Sequence, residues 1–167
     1  MTKHAHEEKK IERHPQIAVL TFSDTRSEQN DESGKIIHAL LSEHNYQVTN
    51  YHIIKDNSEL IHRATITLVE KNTDIIITNG GTGFSKTDCS IQTIEPLFEK
   101  KITGFGELFR YLSFVEISSS AMLSNASAGI IKNTVLFLLP GSPKAVRLGM
   151  KKLIIPEIHH LLWLLNG

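Results

Sequence analysis

The chain has 167 residues, and its 18 Lys and Arg balance its 18 Asp and Glu. Zero formal charge excludes a strong general attraction to nucleic acid or to an anionic membrane surface, and the length predicts one domain that buries a core without metal or disulfide staples. The single cysteine, Cys89, has no internal partner, no apolar run is long and unbroken enough to span a bilayer, and "MTKHAHEEKKIERH" lacks the apolar segment of a secretory signal, so a cytoplasmic protein is expected.

Residues 1–14 are charged and aperiodic and predict a flexible tail, with the single domain running over 15–167. His4 and His6 form an H-x-H without further ligands, which reads as two solvated histidines rather than a metal site. "QIAVLTF" (16–22) predicts a buried strand and "SDTRSEQNDE" (23–32) a polar loop. "SGKIIHALLSEH" (33–44) places Ile36, Ile37, Leu40 and Leu41 on one helical face. A second strand is predicted over 46–54. Ser58 is then the predicted N-cap of a helix with Leu60, Ile61, Ala64, Leu68 and Val69 inward. "TDIIITN" (73–79) has no alternation, as expected of a parallel strand covered on both faces. Strand, helix, strand, helix, strand implies βαβ units in an open α/β sheet. Helices are predicted near 90–100 and 105–116. Strands 127–131 and 134–139, joined by Lys132-Asn133, form a hairpin that makes the sheet mixed. "PGSPKAV" opens a helix, and Pro156 is predicted to start a last one. The apolar "LLWLL" near the end suits either deep burial or a subunit interface.

The stretch "DIIITNGGTGFSKTDCS" (74–90) carries the chemistry. In open α/β sheets, ligands sit outside the carboxyl ends of the strands, and Gly80, Gly81 and Gly83 fall there. Positive φ at such glycines brings bare N–H groups together as an anion nest, for which phosphate is the natural guest. Two known fingerprints fail. Ser85 occupies the second glycine of a phosphate-loop pattern, and Lys86 stands where a dinucleotide fingerprint has its third glycine. Asp88 is repelled by a phosphate unless a cation intervenes, and Mg²⁺ binds through one or two carboxylates plus substrate phosphates. Asp56, at the end of strand 46–54, is expected on the same sheet edge. Taken singly, Asp56 starts a turn and Asp88 caps a helix; taken together, they favour a metal–phosphate site. Lys86 and Lys144 are either added cations or solvated lysines, Glu107 and Arg110 stand one helical turn apart, and Cys89 reads as a small buried residue.

"NGGTGFSKTD", "ITGFGELFRYLSF", "SSSAMLSNASAG" and "LPGSPKAV", in that order, resemble the MoaB/MogA family of molybdenum cofactor biosynthesis proteins, and "SDTRSEQNDESGKII" resembles the first loop of its MoaB branch. The resemblance covers about Gln16 to Pro156. It implies an α/β three-layer sandwich, a mostly parallel mixed sheet with helices on both faces. It further implies binding of molybdopterin and ATP with Mg²⁺, and adenylylation of molybdopterin with release of pyrophosphate. It implies a homo-oligomer, trimer or hexamer, with a downstream molybdenum-insertion protein as a partner. Carried over by position, Asp56 and Asp88 match the acidic residues linked to Mg²⁺ and catalysis, and Gly80, Gly81, Thr82 and Gly83 match the phosphate-facing loop. Gly141, Ser142, Pro143 and Lys144 match a second pocket loop, and Ser118, Ser119, Ser120 and Ser124 a pterin-side segment. Asp24 and Thr25, with Asp31, Ser33 and Gly34, match the first loop, on the nucleotide side. Where many members carry S-R-A, this chain has Ser124-Asn125-Ala126, which removes a fixed cation. A non-catalytic molybdopterin-binding or scaffold protein is the alternative.

Overall fold

The computed structural model describes residues 14–166, so His4, His6 and nearly all of the expected tail lie outside the described residues. Six strands form one mixed sheet in the order β2-β1-β3-β6-β5-β4. They are β1 (Ile17–Phe22), β2 (Val48–Ile54), β3 (Ile75–Asn79), β4 (Lys100–Lys101), β5 (Ser127–Ile131) and β6 (Thr134–Leu139). β2, β1, β3 and β6 run parallel, whereas β5 is antiparallel to both β6 and β4. The hairpin turns at Lys132, which takes φ 53°. The two-residue edge strand β4 has no apolar run to announce it in the sequence.

The central strands are buried on both faces, which explains their unbroken apolar runs. Period-2 side-chain direction sends Ile17, Val19, Ile75, Ile77, Val135 and Phe137 to one core and Ala18, Leu20, Ile76, Leu136 and Leu138 to the other. The first core is closed by α1 (Glu32–Glu43), α4 (Thr103–Ile117), α5 (Pro143–Gly149) and α6 (Ile155–Asn166). The second is closed by α2 (Ser58–Glu70) and α3 (Ser90–Ile94). The result is the expected three-layer α/β sandwich, with helices on both faces of a mostly parallel mixed sheet.

Local expectations are corrected at three places. Asn57, not Ser58, caps α2: its backbone is extended and its side chain accepts the Leu60 amide at 3.0 Å. Leu60, expected inward, is 38% exposed, while Thr65 is buried in its stead. Pro156 does not start a helix. The chain runs from α5 through a π-turn (Met150–Ile154) directly into α6, so Pro156 sits at its second residue. The wider turn tolerates a residue without an amide proton.

Two glycines make contrasting predictions. Gly80 has φ 94°, and a Cβ there would land on the Phe22 carbonyl oxygen. Gly80→Ala should therefore lose about 3 kcal/mol of stability, from left-handed backbone plus overlap. Gly104, in the first turn of α4, has open space around it. Gly104→Ala should gain about 0.5 to 1 kcal/mol by helix propensity. Denaturant melts of both variants check the opposite signs.

Candidate functional site

The carboxyl ends of β1, β2, β3 and β6 share one edge because these strands are parallel, and the candidate residues gather along it. β3 ends at Asn79, after which Gly80 and Gly81 take φ 94° and 61°. Gly83, expected to do the same, does not. The turn is crossed closely by its neighbours: a Cβ on Gly141 would lie 3.1 Å from the Gly80 Cα. The Gly80 amide donates to the Leu139 carbonyl at 3.1 Å and so belongs to the sheet rather than to a nest. The amides of Gly81, Thr82 and Gly83 have no protein acceptor among the described residues, which leaves their donors available to an anion.

Both acidic residues close on that turn from different loops. A Cβ built on Gly81 would lie 2.8 Å from Asp56 Oδ1, and one on Gly83 would lie 2.7 Å from Asp88 Oδ2. Asp88 does not cap α3, whose N-cap is Cys89 without a side-chain bond. Instead Asp88 accepts the Ser85 amide at 2.9 Å, which shapes the loop after the glycines. The Asp56 amide donates to Asp24 Oδ1 at 3.2 Å, and the Asp56 carboxylate lies in the field of both Asp24 and Asp88. Burial raises the Asp56 pKa, and the charges of Asp24 and Asp88 push it further. Burial and the Asp56 charge likewise raise the Cys89 thiol, which keeps it protonated and unreactive.

Asp56 Oδ1 is buried with no hydrogen-bond partner. A buried carboxylate oxygen without a donor, beside two further acids, fits a divalent cation. Among the described residues no three His, Cys, Asp or Glu side chains converge as a complete metal cage. Mg²⁺ needs none, since it completes its octahedron with waters and substrate phosphates.

Other candidates fall into two groups. The register Ser127–Leu138 carries Ser124 and Asn125 to the same edge as Gly141. Ser142 caps α5, accepting the Ala145 amide at 3.2 Å, with Pro143 as the first helical residue and Lys144 exposed. Asp24 lines a hollow of about 420 Å³ with Ser23, Arg26, Tyr51 and Lys55, while exposed Thr25 only bonds back to Ser23. By contrast, Ser118, Ser119 and Ser120 lie exposed in a 3-10 turn (Ser118–Leu123) after α4, and no hydrogen bond ties them to the glycine loop. Ser118 sits at φ 54°, ψ −138°, strained for a residue with a side chain. Lys86 is exposed, and Arg110 does not pair with Glu107 but lies in the field of Glu95, which bonds Lys101 at 2.8 Å.

Arg26 was not foreseen from the sequence. It joins a buried network on Asp31, which bonds Thr21, Tyr51 and the Gly34 amide. These bonds outweigh the effect of burial, which alone would raise the Asp31 pKa, and hold it below the ordinary carboxylate value. The signal in the sequence was an Asp three residues before Gly34 at a helix start, with an Arg five residues upstream.

Fold and edge together define an α/β protein with a glycine turn of unpaired amides flanked by carboxylates. Comparisons with known proteins narrow this class. The profile of a family described as a probable molybdopterin binding domain matches residues 18–160. Molybdenum cofactor biosynthesis protein B of Bacillus cereus is 49% identical over 145 residues, 86% of each chain. The protein of that name from Staphylococcus epidermidis is 43% identical over 171 residues, covering 99% of this chain and 97% of its own. A crystal structure of a tungsten cofactor synthesizing protein MoaB from Pyrococcus furiosus superposes with a TM-score of 0.84 at 34% identity, covering 93% of this chain and 99% of that one. The chain belongs to the molybdenum cofactor biosynthesis protein B family of molybdopterin-binding domains.

Proposed function

We propose that this protein, acting as one domain over residues 15–167 in the cytoplasm, adenylylates molybdopterin in molybdenum cofactor biosynthesis. The observation that carries this reading is the approach of Asp56 and Asp88, from separate loops, to the Gly81–Gly83 turn, whose amides have no protein acceptor among the described residues. An oxygen of the pterin's terminal phosphate forms a bond to the α-phosphorus of ATP, while the bond from that phosphorus to the bridging oxygen breaks and pyrophosphate leaves. Two polyanions must meet in line, so the step is mostly positioning and charge neutralisation. The amides of Gly81, Thr82 and Gly83 would hold phosphate oxygens. Asp56 and Asp88 would hold Mg²⁺, which supplies charge neutralisation at the phosphates. The hollow beside Asp24 has the size of a small-ligand pocket and suits the nucleotide end, with Thr25 next to Asp24 in the same loop. Ser124 and the loop Gly141, Ser142, Pro143 and Lys144 flank the turn on the pterin side, and Ser118, Ser119 and Ser120 extend that side outward.

Incubation with molybdopterin and Mg-ATP, read as pyrophosphate release, tests the reading; release dependent on both substrates supports it. Molybdopterin binding without pyrophosphate supports the non-catalytic alternative instead. One feature favours that alternative: Asn125 is neutral, and the Arg26 guanidinium is engaged by the acceptors of Asp31 and Gly141.

The same reading includes a homo-oligomer, trimer or hexamer, and a downstream molybdenum-insertion protein as recipient of the product. α4 and the turn after it expose Tyr111, Phe114, Val115, Met122 and Leu123, each at least 57% accessible. Exposed apolar side chains grouped on one helix and the turn after it suit an interaction surface. Phe114→Glu should shift the sedimentation of the protein to that of a monomer, whereas a monomeric wild type would remove the oligomer from the reading.

No described helix is long and apolar enough to cross a membrane.

A further inference from the structure

We infer that Arg26 is a positioning residue that clamps the Gly141 loop against the glycine turn, with Asp31 as its buried anchor. Its role in turnover rests on the adenylylation reading; the clamp itself does not.

Arg26 follows β1 in the first loop. Its Nη1 donates to Asp31 Oδ1 at 3.0 Å, and its Nη2 donates to the Gly141 carbonyl at 2.9 Å. Ser33 Oγ donates to the same carbonyl at 2.9 Å. Two donors on one carbonyl fix the loop that follows β6 at the residue before the α5 cap, Ser142. The other end of the clamp does not yield. Asp31 has no exposed surface, and besides Arg26 it accepts the Thr21 hydroxyl, the Tyr51 hydroxyl at 2.7 Å and the Gly34 amide at 3.0 Å.

The anchor also reaches the glycine turn. Asn79, the residue before Gly80, donates through Nδ2 to Thr21 Oγ1 at 2.8 Å, and that hydroxyl donates to Asp31. Hydrogen bonds thus run from the end of β3 to Asp31 and from Asp31 through Arg26 to the loop after β6. Gly141 and Gly80 meet in close backbone contact where those two arms converge. Arg26 therefore helps to set the spacing between the free amides of one loop and the side chains of the other, with Ser33 on the same carbonyl. A planar fork satisfies a carboxylate and a carbonyl at once, whereas an ammonium on a flexible stem does not hold both in register. Two of the five guanidinium N–H donors of Arg26 are spent on Asp31 and Gly141, and through them it supplies position to the site.

The test compares wild type, Arg26→Ala and Arg26→Lys in the full chain. Amide exchange at Ala145 and Val146, whose protons bond to Ser142, should quicken about tenfold or more in Arg26→Ala, while β3 amides at Ile75–Ile77 hold their rates. The KM for Mg-ATP should rise about tenfold with a smaller fall in kcat, as expected when a binding loop loses its position. Ethylguanidinium should restore much of both in Arg26→Ala, and Arg26→Lys should recover only part. Unchanged exchange at Ala145 and Val146 overturns the clamp. So does equal acceleration throughout β3, which would make Arg26 a general stability residue. An unchanged KM in an active Arg26→Ala overturns its role in turnover. If wild type releases no pyrophosphate, the adenylylation reading falls, and the exchange rates alone decide the clamp.

Discussion

Asp88→Asn is expected to cut pyrophosphate release about a hundredfold or more while leaving molybdopterin binding in place, the loss typical of a missing partner to transition-state charge. The substitution separates charge from shape. Asp88 holds the loop through one oxygen that accepts the Ser85 amide, and an asparagine carbonyl accepts that bond equally well. What disappears is the negative charge that, on the proposed reading, would retain Mg²⁺ against water. Calorimetric titration of molybdopterin, run beside the pyrophosphate assay, separates the two effects. Full turnover by Asp88→Asn would remove Asp88 from the mechanism. The raised Asp56 pKa adds a pH dependence with a definite sign. Protonation competes with the metal, so Mg²⁺ affinity should fall as the pH drops through that raised value, at a higher pH than for an ordinary aspartate.

Asp31→Ala is the second large expectation, and it acts on stability. It should cost about 3 to 5 kcal/mol in denaturant melts, the range for breaking a buried charged pair. The loss is large because Thr21, Tyr51, Gly34 and Arg26 would all lose an acceptor inside the protein. The folded-state pKa of Asp31 lies below its ordinary value, so the stability it contributes is fully present above the unfolded-state pKa. That contribution is lost as the pH falls through the lower native value. Wild type should therefore lose its stability advantage over Asp31→Asn in acid, and the two melting curves should converge there. An Asp31→Ala variant as stable as wild type at neutral pH would contradict the anchor.

Much of this was legible in the sequence where the cause is local. Ile75, Ile76 and Ile77 form an unalternating run because both faces of β3 are covered. The glycines at 80 and 81 announce positive φ because only they take it without strain. Gly83 is needed for a different reason, since a side chain there would press on the Asp88 carboxylate. Nearest-neighbour choices were less legible. Asn57 and Ser58 both suit a cap, and the extended backbone at Asn57 decides between them. Pro156 reads as a helix start, because a π-turn that absorbs a missing amide leaves no mark in composition. The Arg26 clamp spans 115 residues and depends on β1 and β6 ending at one edge, so no spacing rule exposes it. Asp31 is singled out in the sequence only by resemblance, as a first-loop position on the nucleotide side, and the folded chain shows it wholly buried and bonded to protein instead.

The central claim is that a divalent cation on Asp56 and Asp88 binds an anionic group to the amides after Gly80. A crystal soaked with Mn-ATP and recorded at the manganese absorption edge tests it most directly. The account predicts an anomalous peak within bonding distance of both carboxylates, with phosphate oxygens on the amides of Gly81, Thr82 or Gly83. A manganese peak elsewhere, or ATP phosphates bound away from the glycine turn, would contradict it.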